Sequence, residues 1–347
     1  MTKTRSLVSE STGSKFIAKD VELRPLTPTS VKFDIHYSGI CHSDIHQVRD
    51  EWSAGIFPMV PGHEMAGIVT AVGSAVTKFK IGDRIGVGVF VDSCGECEYC
   101  VAEQENHCIK GPVGSYNARH YDGVPSYGGY ARSLVVEEHF GLHISDEVNL
   151  AEAAPLLCAG VTVYTPLTRW NAGPGKKVAI LGLGGLGHLA VKIAVALGAE
   201  VTVLGHSDSK KADALAFGAV EYLNTAESIG TVFNKFDMIL NTTSADLNVD
   251  GLLSMLRVDG ALVNVGLPGT RQSYNPFSVV GGSKSIAGSN TGGIKGTQEM
   301  LDFCAKHNIG ATIELLSGSN PASVDEAYDR VVASDIRYRF VIDAQSI

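Results

Sequence analysis

Residues 176–205 read "KKVAILGLGGLGHLAVKIAVALGAEVTVLG". Few folds accommodate this order of apolar run, glycine cluster and apolar run. Val178–Leu181 has the length and character of a buried strand, residues 188–197 of a helix, and residues 201–204 of a second strand. Between strand and helix, Gly182, Gly184 and Gly187 form G-x-G-x-x-G around Gly185 and Leu186. In that setting the first glycine makes the tight turn, the second admits a pyrophosphate to the backbone, and the third lets helix pack on strand. The helix N-terminus then faces the anion. Further strands at "FDMILNT", "GALVNVG" and "KSIAGS" alternate with helical stretches such as "ADLNVDGLLSMLR". Alternation of this kind predicts an α/β, doubly wound parallel sheet, a Rossmann dinucleotide-binding domain, over residues 160–288.

The residues after the second strand bear on which dinucleotide is taken. NAD sites usually carry an acid there for the ribose hydroxyls. Here stand Gly205, His206 and Ser207, followed by Lys210 and Lys211. A hydroxyl, an imidazole and an ammonium group suit a 2′-phosphate, so NADP(H) is favoured over NAD(H). Asp208 argues the other way, and either lysine could simply open an exposed helix.

Residues 31–90 alternate in strand fashion between glycines and predict a β-rich domain. A lobe at about 92–110 follows, containing "CGECEYCVAEQENHC". Cys94, Cys97, Cys100 and Cys108 give C-x2-C-x2-C-x7-C, the spacing of a closed tetrahedral zinc site. An iron–sulfur cluster or unliganded thiols are the alternatives. A closed shell offers no place for a substrate, so this metal would be scaffolding. The chain has seven cysteines and no apolar leader, which predicts a reducing, cytoplasmic setting rather than disulfides. A net charge of −9 argues against nucleic acid or an anionic membrane as partner. No run reaches the roughly 18 apolar residues of a membrane span.

Three isolated stretches remain: "GICHSDIH", "PGHEMAG" and "PLLCAG". Each taken alone reads as an ordinary core cysteine or a hydrogen-bonded histidine. Together, in order with the four-cysteine lobe, "GGYA", "GLGGLGHLAVKIAVALGA" and "RYRFVID", they resemble the zinc-dependent medium-chain alcohol dehydrogenases, within them the cinnamyl alcohol dehydrogenase-like branch. The resemblance covers nearly the whole chain. It implies a GroES-like catalytic domain from residues 1–159 and 289–347, with the Rossmann domain between.

It also implies roles. Cys41, His63 and Cys158 match the ligands of a catalytic zinc, and the lobe cysteines those of a structural zinc, two Zn2+ per chain. Glu64 matches a carboxylate near that metal, and Asp44 the acid that orients the histidine. Ser43 and His46 match a proton relay. Thr162, Val265 and Gly266 fall where the family contacts the cofactor, and Arg337 near its pyrophosphate. Trp52 matches an aromatic lining the substrate pocket, though a packing anchor is the plainer reading. The implied reaction is reversible oxidation of primary alcohols and reduction of aromatic or medium aliphatic aldehydes with NADP(H), in a homodimer or homotetramer. An NAD(H)-dependent alcohol or polyol dehydrogenase is an alternative. A zinc-free quinone or enone reductase of the same fold would need none of the three ligands.

Overall fold

A computed structural model describes residues 2–347. Its contacts divide the chain into two compact units, residues up to Cys158 with Gly292–Ile347, and Ala159–Thr291.

The first unit is built on a mixed sheet. Its strands run Ile313–Ser317, Arg339–Asp343, Ser30–Gly39, Met65–Val72, Arg84–Val87 and Leu142–His143, and Ser133–Glu137 also pairs with Ser30–Gly39. Val31, Phe33 and Ile35 are fully buried, the period-two burial of a strand with one face on the core. Gly67 is required by close packing, since a side chain there would meet the backbone carbonyl of Asp34 on the neighbouring strand. The C-terminal strand Arg339–Asp343 pairs antiparallel with Ser30–Gly39, Val341 opposite Gly39. This brings residues about 300 positions apart to one sheet, and it places Arg339 beside the site described below.

The second unit holds a six-stranded parallel sheet. In spatial order its strands are Glu221–Asn224, Glu200–Gly205, Lys177–Leu181, Phe236–Asn241, Leu256–Asn264 and Ser285–Gly288. The order reverses between Lys177–Leu181 and Phe236–Asn241, the switch point at which doubly wound sheets bind ligands. Apolar side chains including Ala179, Leu204, Phe236, Ile239 and Leu262 fill its core. The helix Gly187–Ala196 follows the glycine turn directly.

One helix differs from the sequence reading. The stretch 245–257 is helical only over Val249–Met255. Asn248 caps it by accepting the Gly251 N–H at 2.9 Å, so the preceding residues stay outside the helix. Leu256 already opens the next strand. No single helix among the described residues is long and apolar enough to cross a membrane.

Candidate metal centres and cofactor site

Cys41 lies just beyond the strand Ser30–Gly39, at the N-cap of the short helix His42–Val48. The Asp44 carboxylate reaches back to accept the Cys41 N–H at 2.8 Å, which fixes where the thiol points. His63 follows Gly62, whose φ of +105° turns the chain into the strand Met65–Val72. Cys158 closes the 3-10 turn Ala154–Leu157. These three elements bring Cys41 Sγ, a His63 ring nitrogen, Cys158 Sγ and a Glu64 carboxylate oxygen within 4.8 Å of one another. Two thiols and an imidazole are the donor set of a catalytic Cys2His zinc site, for which alcohol dehydrogenase is the standard example.

The ionisation of these groups is tied together. The neighbouring Cys158 thiol holds Cys41 well below the usual thiol range, and Cys41 in turn pushes Cys158 up. Burial draws the His63 imidazole down, but the adjacent Asp44 carboxylate outweighs it and raises it well above the ordinary value. His63 Nδ1 lies 3.1 Å from Asp44 Oδ1. Donation from Nδ1 to the carboxylate leaves Nε2 as the metal-facing atom. Asp44 is fully buried and accepts further bonds from the Gly62 N–H at 3.3 Å and the Tyr130 hydroxyl at 3.2 Å. Tyr328 donates to Tyr130 at 3.3 Å, and Phe16 packs edge-on against both rings.

Glu64 is turned onto Arg339, with which it forms a buried ion pair. Its Oε2 and the Arg339 Nε have no hydrogen-bond partner. Burial pushes the Glu64 carboxyl up to about 7, against the opposing pull of Arg339. Gly39 accommodates this carboxylate, because a side chain there would occupy the same space.

Ser43 Oγ lies 3.6 Å from Cys41 Sγ. His46 Nδ1 pairs with the Glu51 carboxylate. The rings of His42, His46 and Trp52 stack in a column, with centroids 5.0 and 4.8 Å apart. Trp52 is 49% exposed and covers the histidine. Sequence reasoning missed Glu51, Arg339, Tyr130 and Tyr328.

In the four-cysteine lobe the donor sulfurs also lie within 4.8 Å of one another. Cys94 to Cys100 is 3.8 Å and Cys97 to Cys100 is 3.5 Å. Zn–S bonds of about 2.3 Å require tetrahedron edges of about 3.8 Å, so the cage has the size of a zinc site. The Cys97 N–H donates to Cys94 Sγ at 3.4 Å and the Cys94 N–H to Cys108 Sγ at 3.4 Å. Backbone N–H groups at Ile109 and Cys100 draw the Cys97 thiol down to about 6, while burial pushes Cys100 up to about 12. The seventh thiol, Cys304, is buried against Met300 away from both clusters.

The second unit presents a glycine cradle. Gly182 takes φ +91° at the turn, and a side chain on Gly187 would strike the Gly182 carbonyl. A Cβ on Gly184 would enter open space, so the backbone there is open to a ligand. Gly185 and Leu186 lead into the helix Gly187–Ala196. No acid ends the strand Glu200–Gly205; exposed His206 and half-buried Ser207 follow it. Lys210 donates to the Leu183 carbonyl of the glycine turn at 3.0 Å. Val265 and Gly266 follow the strand Leu256–Asn264, with both N–H groups on the Asn241 carbonyl at 3.0 Å. Thr162 is half-buried in the helix Ala159–Arg169. Arg337 is an exposed residue of the first unit, two positions before buried Arg339.

Two family profiles match the chain: "Alcohol dehydrogenase GroES-like domain" over residues 27–146, which includes Cys41, His63 and the four-cysteine lobe, and "Zinc-binding dehydrogenase" over residues 185–306. A "Probable formaldehyde dehydrogenase AdhA" of Bacillus subtilis is 55% identical, covering 99% of both chains. An "NADP-dependent alcohol dehydrogenase C 1" of Mycolicibacterium smegmatis is 53% identical over 93% of both. A solved cinnamyl alcohol dehydrogenase from Sorghum bicolor superposes with a TM-score of 0.94 at 37% identity, covering 99% of this chain and 98% of that one. The chain belongs to the zinc-dependent medium-chain alcohol dehydrogenase family, in its cinnamyl alcohol dehydrogenase-like branch.

Proposed function

We propose that this protein interconverts primary alcohols and aldehydes with NADP(H) at a Cys2His zinc site. One observation carries the reading: Cys41, His63 and Cys158, spread over 118 residues of sequence, offer their donor atoms within 4.8 Å of one another. When bound there, zinc supplies a Lewis acid for the substrate oxygen and the nicotinamide supplies or takes a hydride.

The chain's own residues do the rest. Asp44 orients His63 and fixes Cys41. Arg339 pairs with Glu64, whose carboxylate also lies within reach of the three ligands, and so competes with the metal for it. Ser43, next to Cys41, is placed to hydrogen-bond the reacting oxygen. His46 is the outer proton station, since an imidazole can take a proton at one nitrogen and release it from the other. Glu51 holds its Nδ1 and leaves Nε2 for the proton. Trp52 presents an apolar ring over this relay, which favours apolar and aromatic aldehydes. The lobe cysteines hold a second, structural zinc.

The NADP(H) assignment rests on the acid-free end of the second strand, on His206, Ser207 and Lys210, and on the NADP-dependent relative. Gly182, Gly184, Gly185, Leu186 and Gly187 receive the pyrophosphate, with Thr162, Val265, Gly266 and Arg337 as further cofactor contacts. The protein works as a cytoplasmic homodimer or homotetramer. The edge strand Ser285–Gly288 and its exposed neighbours Phe277 and Val280 are the surface for self-association.

Two measurements test this function. Metal analysis should give two zincs per chain. Steady-state rates with NADPH and NADH over aromatic, aliphatic and formaldehyde substrates and a sugar alcohol should favour NADPH with an aldehyde. One zinc or none, or activity on quinones alone, overturns the proposal.

A further inference from the structure

Beyond the cradle itself, the structure assigns Tyr222 as the positioning residue that sets affinity for the cofactor's 2′-phosphate. The inference rests on the NADP(H) reading above and deepens it. Tyr222 stands on the edge strand Glu221–Asn224, opposite Val203 of the adjoining strand Glu200–Gly205. Its side chain is buried and crosses beneath the end of that strand. The phenol occupies the space a side chain on Gly205 would need, with Cζ 2.5 Å and Cε2 3.2 Å from the position of such a Cβ. Gly205 and Tyr222 are therefore a matched pair: the missing side chain on one strand is filled from the next.

The hydroxyl then donates to the Ser207 carbonyl, inside the loop assigned to the phosphate. Two more ties hold that loop. Ser207 Oγ lies 3.0 Å from Ser209 Oγ, and Lys210 Nζ reaches the Leu183 carbonyl of the glycine turn. The Tyr222 bond does two things for an anion. It occupies a backbone acceptor whose lone pairs would otherwise repel phosphate oxygens. It also fixes the peptide from which the Ser207 hydroxyl and the 208–210 turn are hung. A pyrophosphate bound at the glycine turn needs neither service, whereas a 2′-phosphate at residues 206–210 needs both. Removing the hydroxyl should therefore weaken NADPH and spare NADH.

The test compares wild type with Tyr222→Phe, which keeps the ring. NADPH and NADH are titrated by nicotinamide fluorescence, and adenosine 2′,5′-bisphosphate and 5′-AMP by displacement. The loss of one neutral hydrogen bond predicts a rise of about three- to tenfold in the NADPH dissociation constant, with NADH changed less than about twofold. The bisphosphate should follow NADPH and AMP should follow NADH. Gly205→Ala, which drives the phenol from its place without adding a hydroxyl that could itself bind the phosphate, should lower the same NADPH-to-NADH preference. The wild-type preference tests the NADP(H) reading by itself. The change in that preference on substitution tests Tyr222, whichever cofactor wild type binds better. An unchanged ratio in Tyr222→Phe overturns the inference.

Discussion

Replacing Asp44 with Asn should weaken the hold on the catalytic zinc while leaving the lobe zinc unaffected. Asp44 Oδ1 serves His63 Nδ1 at 3.1 Å and the Gly62 N–H at 3.3 Å, while Oδ2 serves the Cys41 N–H at 2.8 Å and the Tyr130 hydroxyl at 3.2 Å. An amide has one acceptor oxygen. If that oxygen stays with His63 and Gly62, the NH2 group faces the Cys41 N–H, donor against donor. Tyr130 can turn to accept, but the Cys41 N–H cannot. One buried, charge-assisted bond is lost and one backbone donor is left without a partner, at about 1.5–3 kcal/mol. The bond to His63 also weakens once its acceptor is neutral. Both losses fall on groups that set two of the three zinc ligands. A tenfold change in binding is about 1.4 kcal/mol, so the zinc dissociation constant should rise about 10- to 100-fold. Competition with a chromogenic chelator reads this directly: one zinc per chain should leave early and the other at the wild-type rate. Loss of both zincs together, or wild-type retention of both, would refute the assignment of Asp44 as the group that orients the catalytic ligands.

The two clusters predict opposite phenotypes for cysteine replacements. Cys158→Ala should abolish turnover and remove one zinc with little change in melting temperature, whereas Cys97→Ala should lower zinc content and stability together; metal analysis with calorimetry distinguishes them. His46→Gln should slow turnover about 10- to 100-fold and alter its pH dependence, and Glu51→Gln should reproduce part of the rate loss with both zincs retained. Glu105 gives a pH-dependent case. Its buried carboxylate accepts from His139 at 2.6 Å and from the Ile294 N–H at 2.9 Å. Burial alone would raise this carboxyl, but His139 and the backbone bonds win and lower it. Its stabilisation is therefore present above the ordinary glutamate range of about 4.3 and lost as pH falls through the lower folded value. Glu105→Gln should cost about 1–3 kcal/mol at pH 7, with the difference from wild type closing below about pH 4 in denaturant melts.

The parts of these sites that were legible in the sequence are those whose chemistry is written in short spacing. Four cysteines in fifteen residues, or three glycines between a strand and a helix, declare their geometry locally. Glu51 was within reach of the same reasoning, five residues after His46 on the turn that ends the helix, but an exposed acid in a charged stretch carries no distinguishing mark. Arg339 was not within reach. It pairs with Glu64 across 275 residues, and only the return of the C-terminal strand to Ser30–Gly39 brings them together. In "IRYRF" the two arginines have the same strand parity, so alternation could not show which is buried. Tyr130 and Tyr328 are likewise joined across 198 residues. Tyr222 was hidden for another reason: its role follows from the absence of a side chain at Gly205, and sequence does not show what fills a gap.

The two metal sites differ in charge, and burial accounts for the difference. Four thiolates around a divalent cation leave a net charge of −2. That is tolerable at the lobe, where Cys94 and Cys97 are half-exposed, backbone N–H groups point at the sulfurs, and Lys110 feels the fields of Cys94 and Cys108. At the catalytic site the same charge would have to be carried beside the fully buried acids Asp44 and Glu64, at a desolvation cost of several kcal/mol per ion. Two thiolates and a neutral imidazole bring the cation to zero instead. The remaining charges then nearly balance among themselves, Asp44 against its four donors and Glu64 against Arg339. Replacing His63 by a third cysteine would upset both balances, adding a buried negative charge and leaving Asp44 without its imidazole. The neutral set also leaves the metal more electron-poor than a tetrathiolate would be, which is what polarising a substrate oxygen requires. Arg339 matters here beyond its contact with Glu64. Without it, the Glu64 carboxyl, which stands at about 7 even with Arg339 opposing the effect of burial, would be pushed higher and would lose its buried counter-ion.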